Sequence, residues 1–291
     1  MNQSTSIEMN PTPVGLGKPN IKERLSKFPW WFVALILILL ATFTAIATQP
    51  SYTEAFLFIK AGLGITIRTT LIAFVIALFL GLITGLSRIS QNVFIKNTAT
   101  LYVEFIRGVP MLVLIFFIAL VAVPAVVGGM NELGLWLQTQ GWHWIANPLL
   151  ALENKAIEMN VRAIIALSVT YGAFLAEIFR AGIQSVSKGQ MEAARSQGMS
   201  SGQAMIYIIL PQAIRNVLPA LGNDFVAMLK DSSLVSVLAV RDITQVARLY
   251  AGRSFRFEEA YTTLAILYLS MTVILSLVVK YIERRVRQDE H

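Results

Sequence analysis

Long apolar runs alternate with short polar stretches along most of this 291-residue chain. The runs are close to the ~20 residues that cross a bilayer core as helix. Their Ile, Leu, Val, Phe and Ala leave no consistently polar face, the pattern of a helix surrounded by lipid or by other helices. Six spans are predicted: Trp30–Thr48, Gly62–Leu86, Thr98–Val127, Val161–Ile183, Met205–Leu229 and Tyr261–Ile282. The first would reach ~28 Å at ~1.5 Å per residue, and Trp30 and Trp31 at its start suit an interfacial anchor. Residues 1–29 are polar and rich in Pro and Lys, and are expected to form a cytoplasmic tail. Residues 128–160 break the apolar pattern with Gly128-Gly129, three tryptophans (Trp136, Trp142, Trp144) and three glutamates. An external insertion with an amphipathic helix lying in the interface is expected there, its role open.

Composition agrees. Hydrophobic residues make up 55% of the chain and charged ones 14%, where soluble domains carry roughly a quarter charged. The fold class is therefore an all-α polytopic membrane protein. There is no cysteine and only His143 and His291, so disulfides, thiolate metal sites and paired-histidine metal motifs are excluded and no metal is expected. The stretch Gly15-Leu16-Gly17-Lys18-Pro19 lacks the upstream Gly and the Ser/Thr of a P-loop. Any nucleotide is then bound by another chain, with no cofactor on this one. No nucleophile–base arrangement points to an enzyme. The net charge of +7 reports orientation rather than nucleic-acid binding. With both termini inside, twelve Lys and Arg fall on inner segments and seven on outer ones, although four outer arginines at 241–256 run locally against the bias.

Ionisable groups inside spans are costly and point to a pathway or a partner. Two short matching pieces, Glu104–Arg107 (EFIR) and Glu177–Arg180 (EIFR), each place Glu and Arg on one helix face. Either they line a polar cavity or each is an intrahelical ion pair near the inner interface. Asp224, beside Asn223, lies in the outer half of the fifth span. Gly108-Val109-Pro110 predicts a kink or a freed carbonyl in the third span, and Pro211 and Pro219 the same in the fifth. The stretch 229–240, LKDSSLVSVLAV, is too short to cross; Asp231 or Ser232 would cap a short re-entrant helix covered by protein or water. The other reading is an exposed turn with a surface helix.

The polar segment 187–211 has its own logic. A helix over Gln190–Gln197 is predicted, with Ser187 or Lys188-Gly189 at its start and a Glu192–Arg195 pair on one face. Gly198 suits a left-handed stop, and Ser200 or Ser201 caps the helix that runs into the next span. The small Ala193 and Ala194 would let another protein approach closely.

That segment, EAARSQGMSSGQAMIYIILP, resembles the EAA loop of ABC importer permeases: Glu192, Ala193, Ala194, then Gly198, then Ile208, Leu210 and Pro211 at fixed spacing. The flanking stretches YVEFIRGVPMLVLIFFI, YGAFLAEIFRAGIQSVSKGQ and MLKDSSLVSVLAVRDI look like the polar-amino-acid (histidine/glutamine/arginine/opine) type. The resemblance covers about Gly62–Arg285 and leaves out residues 1–58 and 128–160. It implies a type I ABC importer core of five helices, here with an extra N-terminal helix. The expected layout is a tail at 1–29, the extra helix with an external loop at 30–58, the permease domain at 59–285 and a cytoplasmic C-terminal tail at 286–291. The resemblance also implies that the loop couples to a separate pair of ATPase subunits using ATP and Mg. A second permease subunit, identical or homologous, an external substrate-binding protein and a bacterial inner-membrane location follow from it too.

For an amino-acid substrate, Glu104, Glu177 and Asp224 could accept from the ammonium. Arg107, Arg180, Lys230 or the backbone amides of Ser232–Ser233, next to Asp231, could donate to the carboxylate. Arg248, Arg253 and Arg256 could form a rim that docks an acidic binding protein. The alternative function is an ion-coupled secondary amino-acid transporter, which would not need the loop.

Overall fold

A computed structural model describes residues 30–288 of the chain. The expected tail at 1–29 and the end of the C-terminal tail lie outside the described residues. Helix α1 (Trp30–Thr48) ends where the apolar run predicts. Its residues up to Phe43 belong to a unit of their own.

The regular structure of the second unit is all helical among its described residues. Helix α2 (Pro50–Ile59) begins on proline, which suits a first helical position because its missing N–H has no partner there anyway. It passes through a 3₁₀ turn into α3 (Leu63–Arg88). The third predicted span divides. Helix α4 (Val93–Gly108) ends where Val109 turns extended before Pro110, and α5 (Met111–Phe117) starts afresh. A residue before proline is pushed out of the helical region, so the expected kink is a full break. Beyond a π turn at Ile118–Ala122, α6 (Val123–Thr139) continues the span. Residues 128–139, the first part of the expected insertion, are thus an extension of that helix. What remains of the insertion is a turn at Gly141 and α7 (His143–Leu150), which folds back so that Leu149 and Leu150 meet Gly134.

Helix α8 (Met159–Ser185) is the axis of the unit: 61% of its most apolar window is buried, against 22–33% for the other four span-length helices. Small residues explain its close neighbours. On α3 a seam of Ala73, Ala77, Gly81 and Gly85 recurs every fourth residue, the spacing that lets membrane helices approach backbone to backbone. A Cβ on Gly81 would sit 2.7 Å from that of Leu175, and one on Gly85 2.9 Å from the Ala176 carbonyl. Buried Arg162 fastens the connection that precedes α8. Its guanidinium donates to the carbonyls of Ile157, Asn154 and Ala119, the last of these in the π turn.

After α8 come α9 (Lys188–Ser196), a one-turn helix α10 (Ser201–Ala204), a π turn and α11 (Leu210–Asp231). The expected re-entrant helix is corrected here. Residues Ser232–Leu238 form a 3₁₀ extension of α11, with neither Asp231 nor Ser232 acting as a side-chain cap. The Ser232 amide is already bonded to the Lys230 and Met228 carbonyls, so no free helix N-terminus exists there. The extension stops at Ala239, whose φ is +58°.

A helix that the sequence reading lacked follows: α12 (Ile243–Ser254). The Asp242 side chain caps it by accepting from the Thr244 and Gln245 amides. Burial pushes this carboxyl above its ordinary pKa, against the pull of those bonds. Gly62 makes room for it, because a Cβ there would lie 2.6 Å from the Asp242 carbonyl carbon. Helix α13 (Phe257–Gln288) closes the chain. Among the described residues, five helical segments are long and apolar enough to cross a membrane, and Val33–Thr48 of α1 is a shorter apolar helix.

Candidate functional site

Two groups of predicted residues gather at one end of α3, and the other groups lie further along the bundle. The first group is the polar loop. Helix α9 is capped at its start by Ser187, whose Oγ accepts from the Gly189 amide. It ends where Gly198, at φ +84°, turns the chain left-handed. The Met199 amide then returns to the Ala194 carbonyl, 3.2 Å away. Ser200 caps α10 through a reciprocal box: its Oγ accepts from the Gln203 amide, and the Gln203 side chain accepts from the Ser200 amide at 2.9 Å. These bonds satisfy end groups of two short helices that would otherwise fray.

The outcome is a small rigid knob. Ala194 and Ala204 are buried against the protein, whereas Glu192, Ala193, Arg195 and Gly198 are exposed. No neighbour lies within 4 Å of a Cβ placed on Gly198, so its glycine is required by the backbone angle and not by crowding. The expected Glu192–Arg195 ion pair is absent, leaving both side chains open. Pro211 sits at the first turn of α11, following the π turn at Met205–Ile209 that absorbs the missing donor. Leu210 is half-buried beside it. Ile183, Ile209 and Ala213 pack as one cluster, with Met191 and Met205 against it, and tie the knob to two spans.

The second group is a charge cluster built from three helices. Glu177 on α8 is its centre. Its Oε1 accepts from Arg88 Nη1 and, at 3.0 Å, from Arg107 Nη1. Its Oε2 accepts from Arg180 Nε at 3.0 Å and lies 2.9 Å from Arg180 Nη2. A carboxylate offers about four lone-pair sites, and these four contacts occupy them. Arg88 also extends Nη2 to Glu104 Oε1 at 3.5 Å.

Of the two matching Glu-x-x-Arg pieces, then, one forms its local pair and the other does not. Glu177–Arg180 closes within α8, while Glu104 and Arg107 part company to meet Arg88 and Glu177. The expected intrahelical pair therefore holds for Glu177–Arg180 and not for Glu104–Arg107, whose partners lie on other helices. Arg88 is the residue that sequence reasoning missed, and its side chain is the most buried of the five at 10% exposure. Its signal was weak: a basic residue at a helix C-terminus is ordinarily explained by the helix dipole.

Further along the bundle, Tyr171 donates to Asp231 Oδ2 at 2.7 Å. Asp224 lies two turns before Asp231 on α11, half-buried and without a hydrogen bond among the described residues. Ser232 is buried and its hydroxyl donates to the Leu229 carbonyl, while Lys230 is exposed and Ser233 half-buried. The loop knob and the Glu177 cluster share the Arg88 end of α3, whereas α12 packs on its Gly62 end. Of the three arginines proposed as a docking rim, Arg248 and Arg253 lie on α12 and Arg256 just beyond it, and they are not equivalent. Arg256 is held by Glu54 at 2.7 Å. Arg253 lines a groove of about 450 Å³ with Arg241, Leu57 and Phe58. Arg248 is exposed and forms no ion pair with the described residues.

Comparison with known proteins accords with this arrangement. Residues 77–288 match the family described as "Binding-protein-dependent transport system inner membrane component". The chain is 38% identical over 224 residues to the probable glutamine ABC transporter permease protein GlnM of Bacillus subtilis, covering 76% of this chain and 91% of that protein. It is 35% identical to the probable amino-acid permease protein YxeN of the same organism, over 79% of this chain and 92% of that one. Among solved structures, a crystal structure of an amino acid ABC transporter with histidines superposes with a TM-score of 0.63 at 37% identity, covering 80% of this chain and 95% of that chain. The chain belongs to the family of binding-protein-dependent transport system inner membrane components.

Proposed function

We propose that this chain is the transmembrane permease of an ABC importer for polar or charged amino acids, with α9 as the element that seats in a partner ATPase. The observation that carries the coupling role is the knob itself: an exposed helix, capped at both ends and fixed to α8 and α11 through the Ile183, Ile209 and Ala213 cluster. A surface that must transmit force needs a rigid connection to what it moves, and a flexible loop would dissipate it. Glu192, Ala193, Ala194 and Gly198 form the contact, and Leu210 and Pro211 lead it into the span. ATP and Mg are used by the partner, none being bound by this chain. The amino-acid assignment draws on the names of the relatives. The family match also separates this reading from an ion-coupled transporter.

Both termini are placed in the cytoplasm on the charge count, which puts the α9 knob on the same side as the ATPases. A second permease subunit completes the pathway. In the membrane, Glu177 has no acceptor left for an ammonium group, so Glu104 takes that role beside the charge cluster, and Asp224, two turns before Asp231, offers an acceptor at a separate level of the pathway. The partly exposed guanidiniums of Arg107 and Arg180 take the carboxylate. Lys230, Ser232 and Ser233 border the Asp231 end. A substrate-binding protein docks on the opposite side through Arg248, with Arg253 and Arg256 beside it.

The test is co-purification of the tagged chain with its genetic neighbours, followed by ATPase assays in proteoliposomes. An ATPase subunit that co-purifies, and whose turnover rises with amino-acid-loaded binding protein, supports the reading. A chain that purifies alone and moves amino acids only down an ion gradient overturns it.

A further inference from the structure

The helical hydrogen-bond ladder of α4 stops before the span that follows it, although Phe105 of α4 still packs on Phe117 of α5. The chain leaves the helical region at Val109, and Pro110 can supply no donor to continue α4. Gly108 has open space around it. Two kinds of polar contact hold α4 to the bundle. Tyr102 donates to the Val169 carbonyl of α8, and the charge cluster joins its C-terminal half to α3 and α8. The hub of that cluster is Arg88, whose fork spans two helices, with one nitrogen on Glu177 of α8 and another near Glu104 of α4. A planar guanidinium can hold two carboxylates in fixed relative positions, which an ammonium cannot do in the same way.

Charge makes the arrangement one-directional. Without Arg88, Glu104 loses its partner among the described residues, and Glu177 retains only Arg107 and Arg180. Arg107 would then be α4's single charged tie to α8, and its side chain is 44% exposed. Water and salt compete with so exposed a pair. The aim of both partly exposed guanidiniums would loosen, that of Arg107 the more, since among the described residues Arg107 is held by Glu177 alone and Arg180 also donates to Gln184 at 3.2 Å.

We propose that Arg88 is a positioning residue for transport, setting the approach of α4 to α8 through Glu177 and Glu104 and thereby the aim of the Arg107 and Arg180 guanidiniums. It need touch no substrate. The activity readout rests on the importer reading, and a distance readout does not.

Because the chain has no cysteine, spin labels can be placed only where cysteines are introduced. Labels at Leu101→Cys on α4 and Ala181→Cys on α8, both exposed positions, would be measured in the intact transporter with its ATPase subunits in nanodiscs. Arg88→Gln should broaden the α4–α8 distance distribution. It should also lower ATPase stimulation by loaded binding protein about tenfold, within the range usual for coupled sites. Arg88→Lys should recover part of both. Arg88→Gln combined with Glu177→Gln should cost no more than Glu177→Gln alone, as expected for residues acting through one another. An unchanged distance distribution in Arg88→Gln, or losses that multiply in the double variant, would overturn the proposal. If Arg88→Gln does not assemble, Glu104→Gln removes only the weaker arm, at an exposed residue. It must still broaden the distribution, and a wild-type distribution there also overturns the proposal. If the importer reading alone is wrong, stimulation is absent from the wild type while the distance changes persist.

Discussion

The α9 knob and the Glu177 cluster lie near the same end of the bundle and are held together by opposite means. Every bond that shapes the knob joins residues a few positions apart: Ser187 to Gly189, Met199 to Ala194, Ser200 to Gln203. The cluster draws on residues 88, 104, 107, 177 and 180, from three helices. The knob is therefore a locally encoded part whose shape survives movement of the spans around it. The cluster exists only while α3, α4 and α8 keep one arrangement. A part that must be gripped and a part that must register conformation call for this difference.

The comparison sharpens under substitution. The largest effect is expected from Gly198→Val. A β-branched residue is a poor fit to φ +84°, so the turn after α9 must re-form and the knob loses its shape. Uptake should fall at least about a hundredfold, the loss that a coupling of ~3 kcal/mol would produce, while membrane insertion stays intact. Radiolabelled uptake in proteoliposomes, with the membrane fraction measured in parallel, checks this. Retained uptake would show that the knob is not gripped.

Glu177→Gln comes next, and it acts on the fold as well as the cycle. It leaves three guanidiniums around a neutral amide. Breaking a buried ion network by removing one partner costs about 3–5 kcal/mol. With 21% of the Glu177 side chain exposed, about 2 kcal/mol is expected here, read as a lower melting temperature of the detergent-solubilised protein. Ser200→Ala should have the smallest effect. Losing one cap costs ~1 kcal/mol, confined to α10, and hydrogen exchange should quicken at Gln203 with little change in global melting. If Ser200→Ala lowered global stability as much as Glu177→Gln, the distinction between local and shared parts would fail.

The same distinction decides what could be read from the sequence. Span α1 ends at Thr48 as its apolar run does, and the loop elements were legible to within a residue or two, because caps and glycine stops act over a single turn. The interruption of the third span at Gly108-Val109-Pro110 was legible from the proline, and only its extent was not: hydropathy runs on through apolar Val109 and Pro110, yet they end a helix. The re-entrant helix was misjudged for a related reason. Asp231 and Ser232 are good caps wherever a helix starts, but α11 had not ended. Helix α12 was hidden by the four arginines of 241–256, two of them within it, because their charge reads as a surface loop. Its buried Ile243, Ala247, Tyr250 and Ala251 carry the helical period. Arg88 was beyond reach, since nothing local distinguishes a lysine or arginine that ends a helix from one that reaches two carboxylates on other helices.

The central claim is that α9 seats in another subunit, and Ala193 is the position from which to test it. It is exposed in this structure, and the chain's lack of cysteine makes Ala193→Cys a unique thiol. The measurement is crosslinking from that position, with a short thiol-reactive photocrosslinker, to co-expressed ATPase subunit in native membranes. The account predicts a one-to-one adduct with the ATPase whose yield changes when ATP is added. No adduct from Ala193→Cys, with an adduct instead from a cysteine introduced at the far end near Arg248, would contradict it.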